Sequence, residues 1–282
     1  MNVWVLGARP KTLPAAIAPV LVASALAGSD FNLRQALLAL VVSLALQIGV
    51  NYANDYSDGV RGTDADRVGP TRITAAGLAT PTEVKRAAFI AFGIAAVAGL
   101  ALAATTTWAL ILVGAAAIIA AWGYTGGSNP YGYLGLGELF VFIFFGVVAT
   151  VGSFYVQTEE VTLDIFLASF SMGAFSCALL AINNIRDRAL DEVAGKRTLA
   201  VRLGDRKSRR FFVALICLGY LPALAIAEPS LLITLISLPT AIALSKGALG
   251  QAQGKDLIPL LAKTAQLQLQ FSALLAIALV LS

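Results

Sequence analysis

The chain has 282 residues, 58% of them hydrophobic and only 13% charged, with a mean hydropathy of +0.81 and a formal net charge of +4. Soluble domains carry about 25% charged residues, so this composition excludes an ordinary water-soluble enzyme and gives no reason to expect a nucleic-acid partner. Histidine is absent, which removes imidazole as a base or a metal ligand. Cys177 and Cys217 lie in apolar runs without metal-binding spacing and read as small buried hydrophobes.

A membrane-spanning helix needs roughly 20 mostly apolar residues. Runs of that kind recur at 13–28, 33–53, 84–104, 108–124, 139–156, 165–184, 210–227, 231–246 and 264–281. The expected architecture is therefore all-α, a polytopic bundle of about nine transmembrane helices. Residues 1–282 read as one domain, because no polar stretch is long enough to bury a core of its own. The first run has the outline of a signal peptide, with a small-residue end at Ala25–Ala27, but the spans behind it favour a retained first helix. With these spans, Arg34 alone among the 20 basic residues falls on the face opposite the N-terminus. Short basic loops stay cytoplasmic, so the N-terminus and the polar clusters on its face are expected in the cytoplasm, with the protein in the cell membrane.

Arg9 and Lys11 open the first helix, either as orientation anchors or as anion contacts. The second apolar run leads into the stretch NYANDYSDGVRGTDAD, 51–66. Asn51 and Asp55 share a helix face, as do Asn54 and Asp58. Asp64 and Asp66 follow after Gly59 and Gly62. Carboxylates this close repel unless protons or cations intervene, and their hard oxygens suit Mg²⁺. The expectation is a Mg²⁺ site for a diphosphate at the mouth of the bundle. Arg72 follows in a loop with Gly69 and Pro70, where its planar fork suits phosphate. Thr80, Pro81 and Glu83 spell a capped helix start.

The loop Tyr124-Thr125-Gly126-Gly127 is a weak anion-nest signal. Tyr131 and Tyr133 read as interfacial anchors, and Glu138 as an acid facing a helix N-terminus. The stretch 157–164 holds Glu159, Glu160 and Asp164 without a basic residue, as an outer loop should. A second polar stretch then begins at Asn183-Asn184-Ile185-Arg186-Asp187. It continues through Asp191, which is four residues beyond Asp187 and on its face, to Lys196 and Arg197.

The second stretch repeats the first. Asn54-Asp55-Tyr56-Ser57-Asp58 aligns with Asn183-Asn184-Ile185-Arg186-Asp187, and each follows an even-numbered helix. Two such turns facing one cavity would clamp cations that bridge a diphosphate. The plainer reading is two acidic turns balanced by neighbouring arginines. The basic run from Lys196 to Arg210 is mostly a topology signal, and Lys196 and Arg197, nearest the acids, are its candidates for substrate contact.

With both acid clusters in view, the chain resembles the UbiA-type membrane prenyltransferases, and within them the naphthoate branch. The matching pieces are RPKTL (9–13), NDYSDGVRGTD (54–64), GPTRITAAG (69–77) and YTGG (124–127), then GLGELFVFIFFG (135–146), YVQT (155–158) and NNIRDRALDEVAGKRTLAVRLG (183–204). The resemblance implies a nine-helix bundle with a cavity open to lipid and Mg²⁺ as the cofactor. On it, Asn54, Asp55, Asp58, Asp64, Asp187 and Asp191 fall on the metal motifs, with Asp58, Asp64, Asp66, Asp187 and Asp191 as candidate catalytic groups. Asn54, Arg72, Tyr124, Asn184, Lys196, Arg197, Arg9 and Lys11 are the candidate substrate contacts.

The implied reaction transfers a polyprenyl group from a polyprenyl diphosphate to 1,4-dihydroxy-2-naphthoate, with loss of CO₂, giving demethylmenaquinone. The hydroxybenzoate branch has a lysine four residues after the tyrosine that Tyr124 matches; Ser128 stands there. The alternatives are another aromatic acceptor, such as a hydroxybenzoate or a haem precursor, and a transporter, since polar helix breaks also mark transport folds. A CDP-alcohol phosphotransferase would need an Ala-Arg pair spaced after Asp58-Gly59 that the chain lacks.

Overall fold

The computed structural model describes residues 2–63, 69, 71–226 and 229–281, and every regular element among them is helical. A short helix, Val3–Ala8, precedes α1 (Pro14–Leu26), α2 (Leu33–Arg61), α3 (Pro81–Thr105) and α4 (Leu110–Gly123). Then come α5 (Gly137–Thr158), α6 (Leu163–Val193), α7 (Leu199–Ala225), α8 (Leu238–Leu249) and α9 (Ile258–Leu281). Six helices are long and apolar enough to cross a bilayer: α2, α3, α5, α6, and α8 and α9 together with the turns that lead into them. Helices α1 and α4 are apolar but shorter. Helix α7 opens on basic residues and is broken at Gly204, where φ is 73°.

The boundaries follow local chemistry. Asn32 and Thr162 cap α2 and α6 by accepting backbone N–H bonds from Gln35 and Ile165. Thr80 and Glu83 form the expected reciprocal capping box ahead of α3. Helices α2 and α6 run well past their apolar stretches, so Asp55, Asp58, Asp187 and Asp191 sit on the final turns of long helices rather than in loops. The polar turns extend the helix because their partners lie beside it, and α2 stops only at Gly62, in the left-handed conformation with φ 71°.

Helices α2 and α3 pair closely, as do α6 and α7, and α9 returns to lie against α1. Small residues permit the close crossings. A Cβ on Gly146 would fall 2.6 Å from the Cα of Gly173, so α5 and α6 meet there backbone to backbone. Within α5, residues Phe142–Val148 form a π-helix. Its wider turn sets Phe144, Phe145 and Val148 on the wall of an internal cavity beside Phe140 and Val141. Cys177 is buried as expected, whereas Cys217 is exposed on the outside of the bundle.

Candidate active site

A cavity of about 330 Å³ lies inside the bundle. Its apolar wall comes chiefly from α2, α4 and α5, including Val42, Leu46, Val113, Ala117, Phe144 and Val148. Its polar lining is drawn from the two acid-bearing helix ends and the segments folded over them: Asn54, Asp58, Arg72, Asn184, Asp187, Asp191 and Lys196 all face it. A charged head and a long greasy body are the shape of an amphiphile with an anionic group.

The two clusters meet through Lys196. Its Nζ stands 3.0 Å from Asp58 Oδ1 and 3.9 Å from Asp191 Oδ1. The carboxylates of Asp58 and Asp191 are therefore no farther apart than those two distances together. Local folding puts Lys196 there: α6 ends at Val193 with Ala194 as its cap, Gly195 turns the chain with φ 74°, and the Lys196 amide donates to the Asp191 carbonyl at 2.8 Å. The Lys196 ammonium also lies 4.8 Å from the ring centre of Tyr133.

Asp58 is the most connected acid. It accepts from the Tyr133 hydroxyl, pairs with Lys196, and takes Arg72 Nη2 at 3.5 Å. Burial and the Asp58 charge push the Tyr133 phenol above its ordinary value, so it stays a donor. Asp187 is gripped in bidentate fashion by its neighbour Arg186, at 2.7 and 2.6 Å, and Arg186 also donates to Asn183 Oδ1 at 2.8 Å. Asn54 Oδ1 accepts from Thr125 Oγ1 at 2.7 Å, and Arg61 donates to the carbonyls of Thr125 and Gly127. The YTGG loop is thereby clasped to the end of α2.

Not every candidate reaches the cavity. Asp55 is fully buried and turned the other way, accepting from the amides of Ile73 and Thr74 at 3.0 and 2.9 Å. It fastens the Arg72 segment to α2 and is not on the cavity wall, unlike the metal ligand it was expected to be. Arg9 lines the cavity and reaches Asp55 at 3.8 Å, while Lys11 two residues on is exposed and off the wall. Arg197 is likewise exposed and contributes only its backbone, its amide donating to the Tyr133 carbonyl at 2.9 Å. Tyr124 lines the cavity. Asp64 and Asp66 lie outside the described residues.

Several site residues went unread in the sequence. Tyr133, expected to be an interfacial anchor, bonds Asp58 instead. Glu138, expected to complement a helix dipole, is buried and accepts from Asn184 at 3.0 Å. No local signal marks Tyr133. For Glu138 the signal was available: an acid opening an apolar run of spanning length is costly and rarely idle.

The donor set fits Mg²⁺. Among the described residues no three carboxylates converge tightly enough to enclose an ion by themselves. Mg²⁺ seldom needs that, since it is ordinarily held by one or two carboxylates together with substrate phosphates and water. Asp58, Asp191 and Asp187, with the Asn54 amide, supply the hard oxygens, and Lys196 and Arg72 supply charge for phosphate oxygens.

A membrane-embedded helical bundle with a cavity headed by carboxylates, Lys and Arg is the class of protein that handles lipid-soluble diphosphates. Residues 16–281 match the UbiA prenyltransferase family, and the chain belongs to it. It is 48% identical over 266 residues to the 1,4-dihydroxy-2-naphthoate octaprenyltransferase of Mycobacterium tuberculosis, covering 93% of this chain and 91% of that one. It is 42% identical to the Escherichia coli protein of the same name, over 79% of this chain and 75% of the other. Among solved structures, a UbiA homolog from Archaeoglobus fulgidus bound to GPP and Mg²⁺ superposes with a TM-score of 0.66 at 14% identity, each chain covered in full. An apo UbiA homolog from Aeropyrum pernix K1 gives 0.68 at 15% identity, covering 100% of this chain and 98% of that one.

Proposed function

We propose that this protein transfers a polyprenyl group from its diphosphate to 1,4-dihydroxy-2-naphthoate, releasing CO₂ and diphosphate. The observation that carries the reading is the meeting of two acid-bearing helix ends, joined by Lys196, on one cavity whose remaining wall is apolar. The likeness to relatives named for that reaction supports the choice of acceptor.

Lys196 and Arg72 bind and orient the diphosphate. Asp58, Asp187 and Asp191, with Asn54, are the residues that would hold Mg²⁺, and the metal's contribution there is to neutralise charge developing on the leaving diphosphate. Tyr133 keeps Asp58 in place by donating to it. The allylic C–O bond breaks with its electron pair leaving on the diphosphate. The ring carbon bearing the carboxylate forms the new C–C bond, and loss of CO₂ returns the electrons of the C–COO⁻ bond to the ring. No net proton moves in that exchange, which suits a cavity without histidine. The apolar wall from α2, α4 and α5 holds the chain and keeps water from the cationic carbon. A long polyprenyl tail would extend beyond a cavity of about 330 Å³ into lipid. The charge asymmetry of the loops supports a cytoplasmic carboxylate end in the cell membrane.

The deciding assay gives the purified protein a radiolabelled prenyl diphosphate and, separately, dihydroxynaphthoate, hydroxybenzoate and a haem precursor. Product with dihydroxynaphthoate and Mg²⁺, abolished by EDTA and restored by Mg²⁺, is expected. Product only with another acceptor overturns the acceptor assignment. Solute flux in liposomes without any turnover would favour a transporter.

A further inference from the structure

Glu138 stands at the start of α5 in an apolar setting, and only 6% of it is exposed. Its Oε1 accepts from Asn184 Nδ2 at 3.0 Å, and its Oε2 has no hydrogen-bond partner among the described residues. Burying a carboxylate with half its acceptors unmet is costly, and a leucine of similar size would pack there without that cost. The position is held closely all the same. The Cys177 thiol of α6 donates to the Glu138 carbonyl at 3.0 Å. The neighbouring Gly137 lets the helix start lie against the Tyr124 ring, since a Cβ there would stand 3.3 Å from Tyr124 Cε2.

Glu138 is not on the cavity wall, but Asn184 is. A carboxamide has one donor side and one acceptor side. With its NH₂ turned to Glu138, Asn184 leaves Oδ1 for the cavity. Asn184 lies one helical turn before Asp187, on the side of the apolar stretch of α6. An acceptor atom is thus fixed between the carboxylate end and the greasy wall, where the ring attacking the allylic carbon has to lie. Of the two reactants in the proposed function, only the aromatic one carries hydrogen-bond donors, its ring hydroxyls; an ionised prenyl diphosphate has none.

We propose that Glu138 is a positioning residue: by taking the donor side of Asn184, it aims the Asn184 carbonyl oxygen at a ring hydroxyl of the aromatic acceptor. A site built around such a bond discriminates strongly against a ligand that lacks its partner. This rests on the aromatic prenyl transfer proposed above.

The test measures KM for dihydroxynaphthoate and for geranyl diphosphate, and half-saturation by Mg²⁺, in detergent-purified protein. Glu138→Leu and Asn184→Leu should each raise the dihydroxynaphthoate KM about tenfold or more and leave the geranyl diphosphate KM within about twofold. The exchange Glu138→Gln with Asn184→Asp keeps the total charge. It rebuilds the bond in reverse: the amide introduced on α5 donates, and the carboxylate introduced on α6 presents its second oxygen to the cavity. It should bring the acceptor KM back to within about threefold of wild type, whereas Asn184→Asp alone should not. The idea is overturned if both substrate KM values rise together in folded Glu138→Leu, which is what helix packing alone would produce. It is equally overturned if Mg²⁺ half-saturation moves in place of the acceptor KM, or if the exchange gives no recovery. The exchange decides the matter even where Glu138→Leu fails to fold. A wild type that uses a different aromatic acceptor sinks the assignment of substrate, and the same comparison is then made with that acceptor.

Discussion

The two acid-bearing helix ends share a sequence pattern and little else. On α2, Asp58 is held by residues remote in the chain, Tyr133, Lys196 and Arg72, and Asn54 is held by Thr125. On α6, Asp187 is held by the adjoining Arg186, which also binds Asn183 one turn back. The aligned pair Asp55 and Asn184 shows the reason for the divergence. Asp55 faces two backbone N–H groups and needs to accept; Asn184 faces a carboxylate and needs to donate. The repeat sets where side chains leave the helix, and the neighbour decides which side chain works there. Among the described contacts, the α2 end is thus held from remote segments, whereas at the α6 end Asp187 is held from its own helix and Asn184 from α5.

Asp58→Asn should be the most damaging change, lowering kcat/KM by about 10³ in a product assay, because it removes a hard ligand and loosens Lys196, Arg72 and Tyr133 together. Asp187→Asn should cost about 10², since Arg186 keeps its local bond to Asn183. Equal losses would mean that the two ends work as equivalent halves after all. Lys196→Met should also cost about 10² and raise the KM for prenyl diphosphate, because it removes a cation that reaches an acid on each end.

Tyr133→Phe should lower kcat/KM about tenfold, the value of one hydrogen bond to a charged group. Its proton also has a stability consequence. A phenol whose value is raised on folding binds its proton more tightly folded than unfolded. That stabilisation is fully present below the unfolded tyrosine value of about 10 and is lost as pH rises through the higher folded value. Alkaline titration followed by thermal unfolding should therefore show wild type losing stability above about pH 10 by more than Tyr133→Phe does. Arg197→Ala, one residue from Lys196, should stay within about threefold of wild type, because an exposed side chain off the cavity wall has little to lose. A large loss there would show that the Arg197 side chain moves into the site when substrate binds.

The apolar runs and the acid clusters were readable because both are local signals: run length reports a span, and three- or four-residue spacing reports a helix face. The Thr80–Glu83 cap was readable for the same reason. The helix ends were misjudged where α2 and α6 continue through polar turns, since neighbouring segments supply the partners those turns would otherwise seek in water. Tyr133, Thr125 and Glu138 were not legible as site residues because their partners lie 75, 71 and 46 residues away.

The sequence alone determined that this chain is a membrane bundle bearing two matched carboxylate turns. Those follow from composition and periodicity, which act over a few residues. Tertiary structure decided that Lys196 rather than Arg197 joins the turns, that Asp55 serves a loop rather than the cavity, and that Asn184 donates to Glu138. Such choices depend on which donor or acceptor stands across a buried gap, and only the packed chain brings that neighbour into place.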